Sequence, residues 1–222
     1  MTSPLTRRLA AEFLGTAFLL CAIVGSGIMG ERLSGGNVAI ALLANSVATG
    51  AALVALILTF GPLSGAHFNP AVSLANAFHG QLRWTDVPWY IAAQLVAGVS
   101  GVFVAHSMFA LPLVSPSQHI RAGAPQILSE TLATLGLLLV IFVSSRFRSS
   151  ATPFAVAAYI TGAYWFTPST SFANPAVTLA RSLTNSFAGI RPADVPGFLL
   201  GELAGMALAV IFCRWLASPN EP

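Results

Sequence analysis

Apolar residues along this chain gather into six long runs, at about 9–29, 38–60, 89–110, 125–145, 152–168 and 195–216. Polar or Pro/Gly-rich breaks separate them, most clearly "GERLSGGN" at 30–37, "LPLVSPSQHIRAGAP" at 111–125 and "SSRFRSSATP" at 144–153. Each run approaches the ~20 residues an α-helix needs to cross a ~30 Å hydrocarbon core, so the pattern predicts six membrane-spanning helices. Two further stretches, "NPAVSLANAF" (69–78) and "NPAVTLARSL" (174–183), fall between runs two and three and between runs five and six. Each offers only about ten helix-compatible residues, ~15 Å at 1.5 Å per residue, or half the core.

The shared Asn-Pro-Ala-Val phrase is one echo among several. "EFLGTAFLL" from Glu12 matches "ETLATLGLL" from Glu130, and Thr49-Gly50-Ala51 matches Thr161-Gly162-Ala163. Both halves keep one order: Glu helix, Thr-Gly-Ala helix, Asn-Pro-Ala, final helix. This predicts a single domain over 1–222 made of two repeats, about 1–115 and 122–222. Each repeat holds three full crossings, an odd number, so the second must enter the membrane inverted. Inverted repeats put functional groups near the midplane. Backbone that is not helical at that depth is tolerated only inside protein or beside a water-filled cavity. The two half-length helices are thus expected to dip in from opposite faces and meet at a pore.

Composition agrees with a membrane location. Charged residues make up 8% of the chain, hydrophobic ones 55%, and mean hydropathy is +0.77, against roughly a quarter charged in soluble domains. The ten basic residues are all Arg, and the net charge of +3 is scattered, with no basic run suited to nucleic acid. Cys21 and Cys213 sit in apolar runs as packing residues, and His79, His106 and His119 are isolated, so no metal or cofactor is expected. The first run, Leu9 to Met29, exceeds the 7–15 residues of a signal-peptide core and lacks an A-x-A site, so it reads as a membrane helix. An intramembrane enzyme is disfavoured: H-E-x-x-H and G-x-S-x-G are absent, and no Asp lies inside a predicted span. An ion-coupled secondary transporter is the remaining alternative to a passive channel. It would have to couple through Glu12, Glu130 or Glu202.

Asn is a favoured helix N-cap and Pro suits the first helical position, so Asn69-Pro70-Ala71 and Asn174-Pro175-Ala176 mark two helix starts. Each start carries roughly half a positive charge. Two such ends facing one another in a low-dielectric centre repel cations and disfavour a passing proton, while the Asn amides can donate to a permeating solute. "SGAHFNPAV" (64–72), the paired motif, the Glu-x-x-x-Thr helices and the six spans resemble the major intrinsic proteins, the aquaporin and aquaglyceroporin family, over nearly the whole chain. The resemblance implies an all-α membrane protein: a right-handed bundle of six transmembrane helices plus two re-entrant half-helices. It also implies a pore in each subunit of a homotetramer, seated in a lipid bilayer and passing small neutral solutes. Glu12 and Glu130 would hold the re-entrant loops, the alternative being seats near the membrane interface. His67 would line the inner mouth, or else pack against the loop.

One departure stands out. The family's second motif normally continues to Arg, three residues after the Asn; here that residue is Val177. Carried over by spacing, the other members of the selectivity filter are Thr49, Gly162 and Ser171, with Thr161 as the alternative in the fifth span. All are small, so the opening is expected to be wide, amphipathic and uncharged. "STSFANPAVTLARSLTNSFAGIRP" (169–192) is most similar to the divergent bacterial aquaglyceroporins of arsenic-resistance operons. That implies passage of arsenous acid and methylated arsenicals besides glycerol-like solutes and water; the alternative is an ordinary water/glycerol facilitator.

Arg181 lies four residues past Val177 on the same helix face. It either substitutes for the missing filter cation, draws oxyanions into the outer mouth, or anchors the half-helix to loops or headgroups, the last being the leading expectation. The clusters Arg7–Arg8 and Arg146–Arg148 predict cytoplasmic termini, which the family resemblance also implies; the likeness to bacterial aquaglyceroporins implies a bacterial inner membrane. Gly201-x-x-x-Gly205 permits close helix approach. Glu202, within that motif, receives no role from the sequence.

Overall fold

The computed structural model describes residues 3–217, which form eight α-helices and two short 3₁₀ turns, with no strand among the described residues. The helices are α1 (Leu5–Leu33), α2 (Val38–Ser64), α3 (Pro70–Phe78), α4 (Val87–Met108), α5 (Ala124–Phe147), α6 (Thr152–Phe166), α7 (Pro175–Arg181) and α8 (Val195–Ala217). Residues 1–2 and 218–222, the outer ends of the two expected repeats, lie outside the described residues.

Five of these helices are long and apolar enough to cross a membrane: α1, α2, α4, α5 and α8 with the turn before it. The fifth expected span, 152–168, is shorter than the rest. As α6 it has 15 residues, ~22 Å at 1.5 Å per residue. Proline explains both ends: Pro153 sits in the first turn, and Pro168 follows the extended Thr167. The 3₁₀ turn Ser149–Ala151 extends it on the side of α5.

Within the first half α1 packs on α2 and α4; within the second, α5 packs on α6 and α8; α2 meets α6 across the halves. Glycine permits the closest approaches. A Cβ on Gly101 would overlap the Ala17 carbonyl of α1, and one on Gly205 would overlap the Thr131 carbonyl of α5. The small-residue motif in α8 therefore does what its spacing predicts. Large apolar side chains such as Phe18, Trp89, Val96 and Ile211 point outward and stay exposed, a surface suited to lipid.

The half-helices sit toward opposite ends of α4. Leu82, just after α3, packs with Val87 and Tyr90 near the start of α4, and Arg8 bonds Asp86 there at 2.8 Å. Thr184, just after α7, bonds His106 near the end of α4 at 2.8 Å.

Candidate conduit between two opposed half-helices

Asn69 and Asn174 both adopt extended backbone, with φ of −156° and −160°, immediately before Pro70 and Pro175. The Asn69 Oδ1 accepts from Ala71 N at 2.8 Å. Asn174 Oδ1 accepts from Ala176 N at 3.0 Å and from Val177 N at 3.3 Å. These are capped helix starts of the predicted kind. Each cap also reaches across: Asn69 Nδ2 donates to Ala173 O at 2.7 Å, and Asn174 Nδ2 donates to Phe68 O at 2.8 Å. The reciprocal bonds hold the two positive helix ends face to face. An amide nitrogen has two hydrogens, so one N–H remains on each Asn, and both residues line the central cavity.

The loops leading into these caps are bent in a matching way. Ala66 and Phe68 in the first, and Ser171 and Ala173 in the second, have φ between +48° and +50°. Left-handed backbone at a non-glycine residue costs of order 1–3 kcal/mol each, so something must hold it. Glu12 Oε1 accepts from His67 N at 2.9 Å and Ser64 Oγ at 2.6 Å; its Oε2 accepts from Phe68 N at 2.7 Å. Glu130 accepts from Phe172 N at 3.0 Å and Ala173 N at 2.7 Å, and the Ser169 side chain bonds it as Ser64 bonds Glu12. Both carboxylates are wholly buried and turned to the loops.

Two supporting residues escaped sequence reasoning. Gln94 Nε2 donates to Glu12 Oε2 at 2.8 Å and to Ser73 Oγ at 2.9 Å. Glu202 Oε1 accepts from Asn174 N at 3.1 Å and from Thr178 Oγ1 at 2.5 Å. They occupy equivalent places in the repeat, since "DVPWYIAAQ" (86–94) aligns with "DVPGFLLGE" (194–202). That alignment was the available signal.

A cavity of about 370 Å³ runs past both Asn residues. Along α6 it is lined by Thr152, Val156, Ile160 and Tyr164, every fourth residue, so it extends ~18 Å along the helix axis. Leu53 and Ile57 of α2, Leu137 and Ile141 of α5, and Leu19 and Ile23 of α1 make the apolar side. The bent loops and the two Asn amides make the polar side. Such a passage suits a solute with a carbon skeleton on one edge and hydroxyls on the other.

Thr49, Ser171 and Val177 line this cavity. Gly162 does not. It lies on the exposed outer face of α6, with nothing within 4 Å of where its Cβ would stand. At 100° per residue it points roughly 200° away from Ile160 and Tyr164. Thr161 packs against Gly50 of α2 instead. The lining residue is Tyr164, whose hydroxyl shares a 3.2 Å hydrogen bond with Thr49 Oγ1. Counting back from Asn174 failed because the count crosses the irregular segment 167–174. The four-residue row from Thr152 was the better guide. The opening is therefore not built of small side chains alone.

Arg181 stands on the cavity wall and bonds a loop at once. It is 1% exposed, the largest fully buried side chain among the described residues, and lines the cavity. Its Nε donates to Ala188 O in the following loop, which ties the end of α7 to that loop. Its Cζ, however, stands 3.4 Å from the centroid of the Phe172 ring, and its Nη1 has no hydrogen-bond partner. The conduit is not free of guanidinium.

His67 lines the cavity as well, with Nδ1 3.1 Å from Ser73 Oγ. His106 braces two loops, through Nδ1 to Pro112 O at 2.6 Å and Nε2 to Thr184 Oγ1. Arg121 crosses from the α4–α5 connection to donate to Gly189 O at 2.8 Å and Ser169 O at 3.0 Å. Burial pulls its pKa down to about 10, which leaves it charged at neutral pH. Among the described residues no group of His, Cys, Asp or Glu could hold a metal ion, and both cysteines are free.

Opposed half-helices inside a membrane bundle, with a continuous amphipathic cavity between them, define an aquaporin-type channel. The description "Major intrinsic protein" matches residues 1–166, and the chain belongs to that family. The chain is 53% identical over 218 residues to "Aquaglyceroporin AqpS" of Rhizobium meliloti (strain 1021), covering 98% of this chain and 93% of that one. It is 29% identical over 225 residues to "Aquaporin NIP2-1" of Oryza sativa subsp. japonica, covering 98% and 74%. The X-ray structure of the aquaglyceroporin from Plasmodium falciparum shares the fold, with a TM-score of 0.74 over 96% of this chain and 95% of that one at 22% identity. The protein is thus a multi-pass membrane protein of a channel family, not of an enzyme family.

Proposed function

We propose that this chain is a passive channel that conducts arsenous acid and methylated arsenicals, as well as glycerol-like solutes and water, through a pore in each subunit of a homotetramer. The termini face the cytoplasm of a bacterial inner membrane, so the α7 end of the conduit opens outward and the α3 end inward. Asn69 and Asn174 hand solutes across the midpoint while the two helix ends refuse protons and cations. Thr49, Tyr164, Ser171 and Val177 form the selective ring, and His67 stands at the inner mouth.

The observation that carries this reading is Val177 on the conduit wall, at the station where the family places an arginine. A β-branched apolar group there is shorter than an arginine and leaves more room for a bulky oxyacid. The unpartnered Ser171 Oγ beside it offers such a solute a hydrogen bond. A passive mechanism is supported by the buried acids. Glu12, Glu130 and Glu202 are all engaged with loop backbone, and among the described residues no carboxylate lines the cavity.

The test is uptake or swelling in proteoliposomes with water, glycerol, arsenous acid and methylarsonate, comparing the wild type with Val177→Arg. The substitution is expected to cut the arsenicals most and water least. An equal loss for every solute would refute the filter assignment. Glycerol flux without arsenical flux in the wild type would leave an ordinary water/glycerol facilitator.

A further inference from the structure

We propose that Arg181 supplies the fixed cation of the selective ring, its guanidinium folded back one turn into the station that Val177 leaves open. The inference rests on the channel reading above and assigns the ring's solute class: oxygen-bearing polyols and weak oxyacids are admitted, inorganic cations refused.

Helix side chains lean toward the helix N-terminus, so a residue covers the surface over the turn before its own Cα. Arg181 starts one turn beyond Val177 on α7 and returns toward it. Its guanidinium lies over Phe172, the neighbour of Ser171, and both Arg181 and Val177 border the cavity with Thr49 and Tyr164. Nε on the Ala188 carbonyl and the ring beneath Cζ fix the group at two points.

The remaining donor is what makes this a site and not only an anchor. Nη1 is buried without a partner, and no carboxylate pairs with Arg181 within 4.0 Å among the described residues, where the three ion pairs involve Arg8, Arg83 and Arg191. A buried guanidinium without an ion pair is costly unless something solvates it. Glu130 and Glu202 act on it only at longer range. The conduit is where the missing partner, an acceptor oxygen of water or solute, would stand. A planar guanidinium matches an oxyacid well, and its charge in a low-dielectric passage repels a cation.

Arg181→Met keeps the apolar stem of the side chain and removes the charge together with the Nε donor to Ala188. In proteoliposomes it is expected to raise Na⁺ leak above the wild-type background and to lower glycerol and methylarsonate flux relative to water by about tenfold, the scale of one lost charge-assisted hydrogen bond. Adding Val177→Arg to that variant should restore Na⁺ exclusion. Arg181→Lys, which keeps the charge without the fork, should exclude Na⁺ while still losing oxyacid flux. It carries the test if Arg181→Met does not assemble. Unchanged solute ratios with no Na⁺ leak, or a uniform loss of all fluxes, would reduce Arg181 to an anchor and overturn the inference. Wild-type vesicles no more permeable than protein-free ones would instead overturn the channel reading itself, a separate result.

Discussion

In the first half of the molecule the loop from Ser64 to Asn69 hangs on Glu12, and Gln94 stands behind Glu12. In the second half the loop from Ser169 to Asn174 hangs on Glu130, and the equivalent place behind it belongs to Glu202. Gln94 donates directly to its partner carboxylate, whereas Glu202 sets a second acid beside Glu130; each keeps one side-chain oxygen without a partner. The contrast continues along the two half-helices. Between residues 64 and 78 no buried side-chain polar atom lacks a partner, but between 169 and 181 Ser171 Oγ and Arg181 Nη1 do. Buried polar atoms are nearly always satisfied, so orphans call for a cause. The first unit behaves as scaffold; the second keeps free hydrogen-bonding capacity beside the conduit, where selectivity needs it.

The largest expected break comes from removing the anchors. Glu12→Ala deletes four hydrogen bonds to one carboxylate, each worth about 1.5–3 kcal/mol, and should prevent recovery of folded protein from detergent. Glu130→Ala deletes two backbone bonds and one from Ser169 and should be less severe. Yields of folded protein that rank the two the other way would undo the comparison. Next comes Gln94→Glu, which sets a second carboxylate against Glu12 and copies the second half into the first. Breaking a buried pairing in this way costs about 3–5 kcal/mol, visible as a lowered Tm.

The mirror substitution, Glu202→Gln, should be mild. Its carbonyl can still accept from Asn174 and Thr178, and its amide can donate to Glu130 as Gln94 does to Glu12. A gain of about 1 kcal/mol is expected; a large loss of stability or flux would show that the acid, not the shape, is required.

The smallest effect concerns the connection into α4. Burial pushes the Asp86 carboxyl up, but hydrogen bonds from Arg8 and Arg83 outweigh it and hold the group below its ordinary value. A lowered folded-state pKa means stability present above the ordinary Asp range and lost as pH falls through the lowered value. Asp86→Asn should flatten that acid limb of a Tm–pH profile and leave neutral-pH flux nearly unchanged.

Much of this was legible in the chain. The Asn-Pro-Ala repeats, the paired Glu helices and the apolar runs each follow from local rules: capping, periodicity and the length of a membrane crossing. The errors cluster where the count leaves regular helix. Gly162 was misplaced because residues 167–174 are irregular, while Tyr164 could have been found on the row through Thr152, Val156 and Ile160. The direction of Arg181 was not recoverable. Its position on the Val177 face was plain, but whether a long, flexible side chain turns outward or folds back depends on the Phe172 ring and the Ala188 carbonyl it meets.

The sequence alone determined that two short helices begin at midmembrane and face one another, because N-capping and chain parity are local and countable. Only the tertiary structure decided which side chains wall the conduit and which polar atoms stay unpaired, because those depend on contacts between segments more than forty residues apart, such as Thr49 with Tyr164 or Glu130 with Ala173.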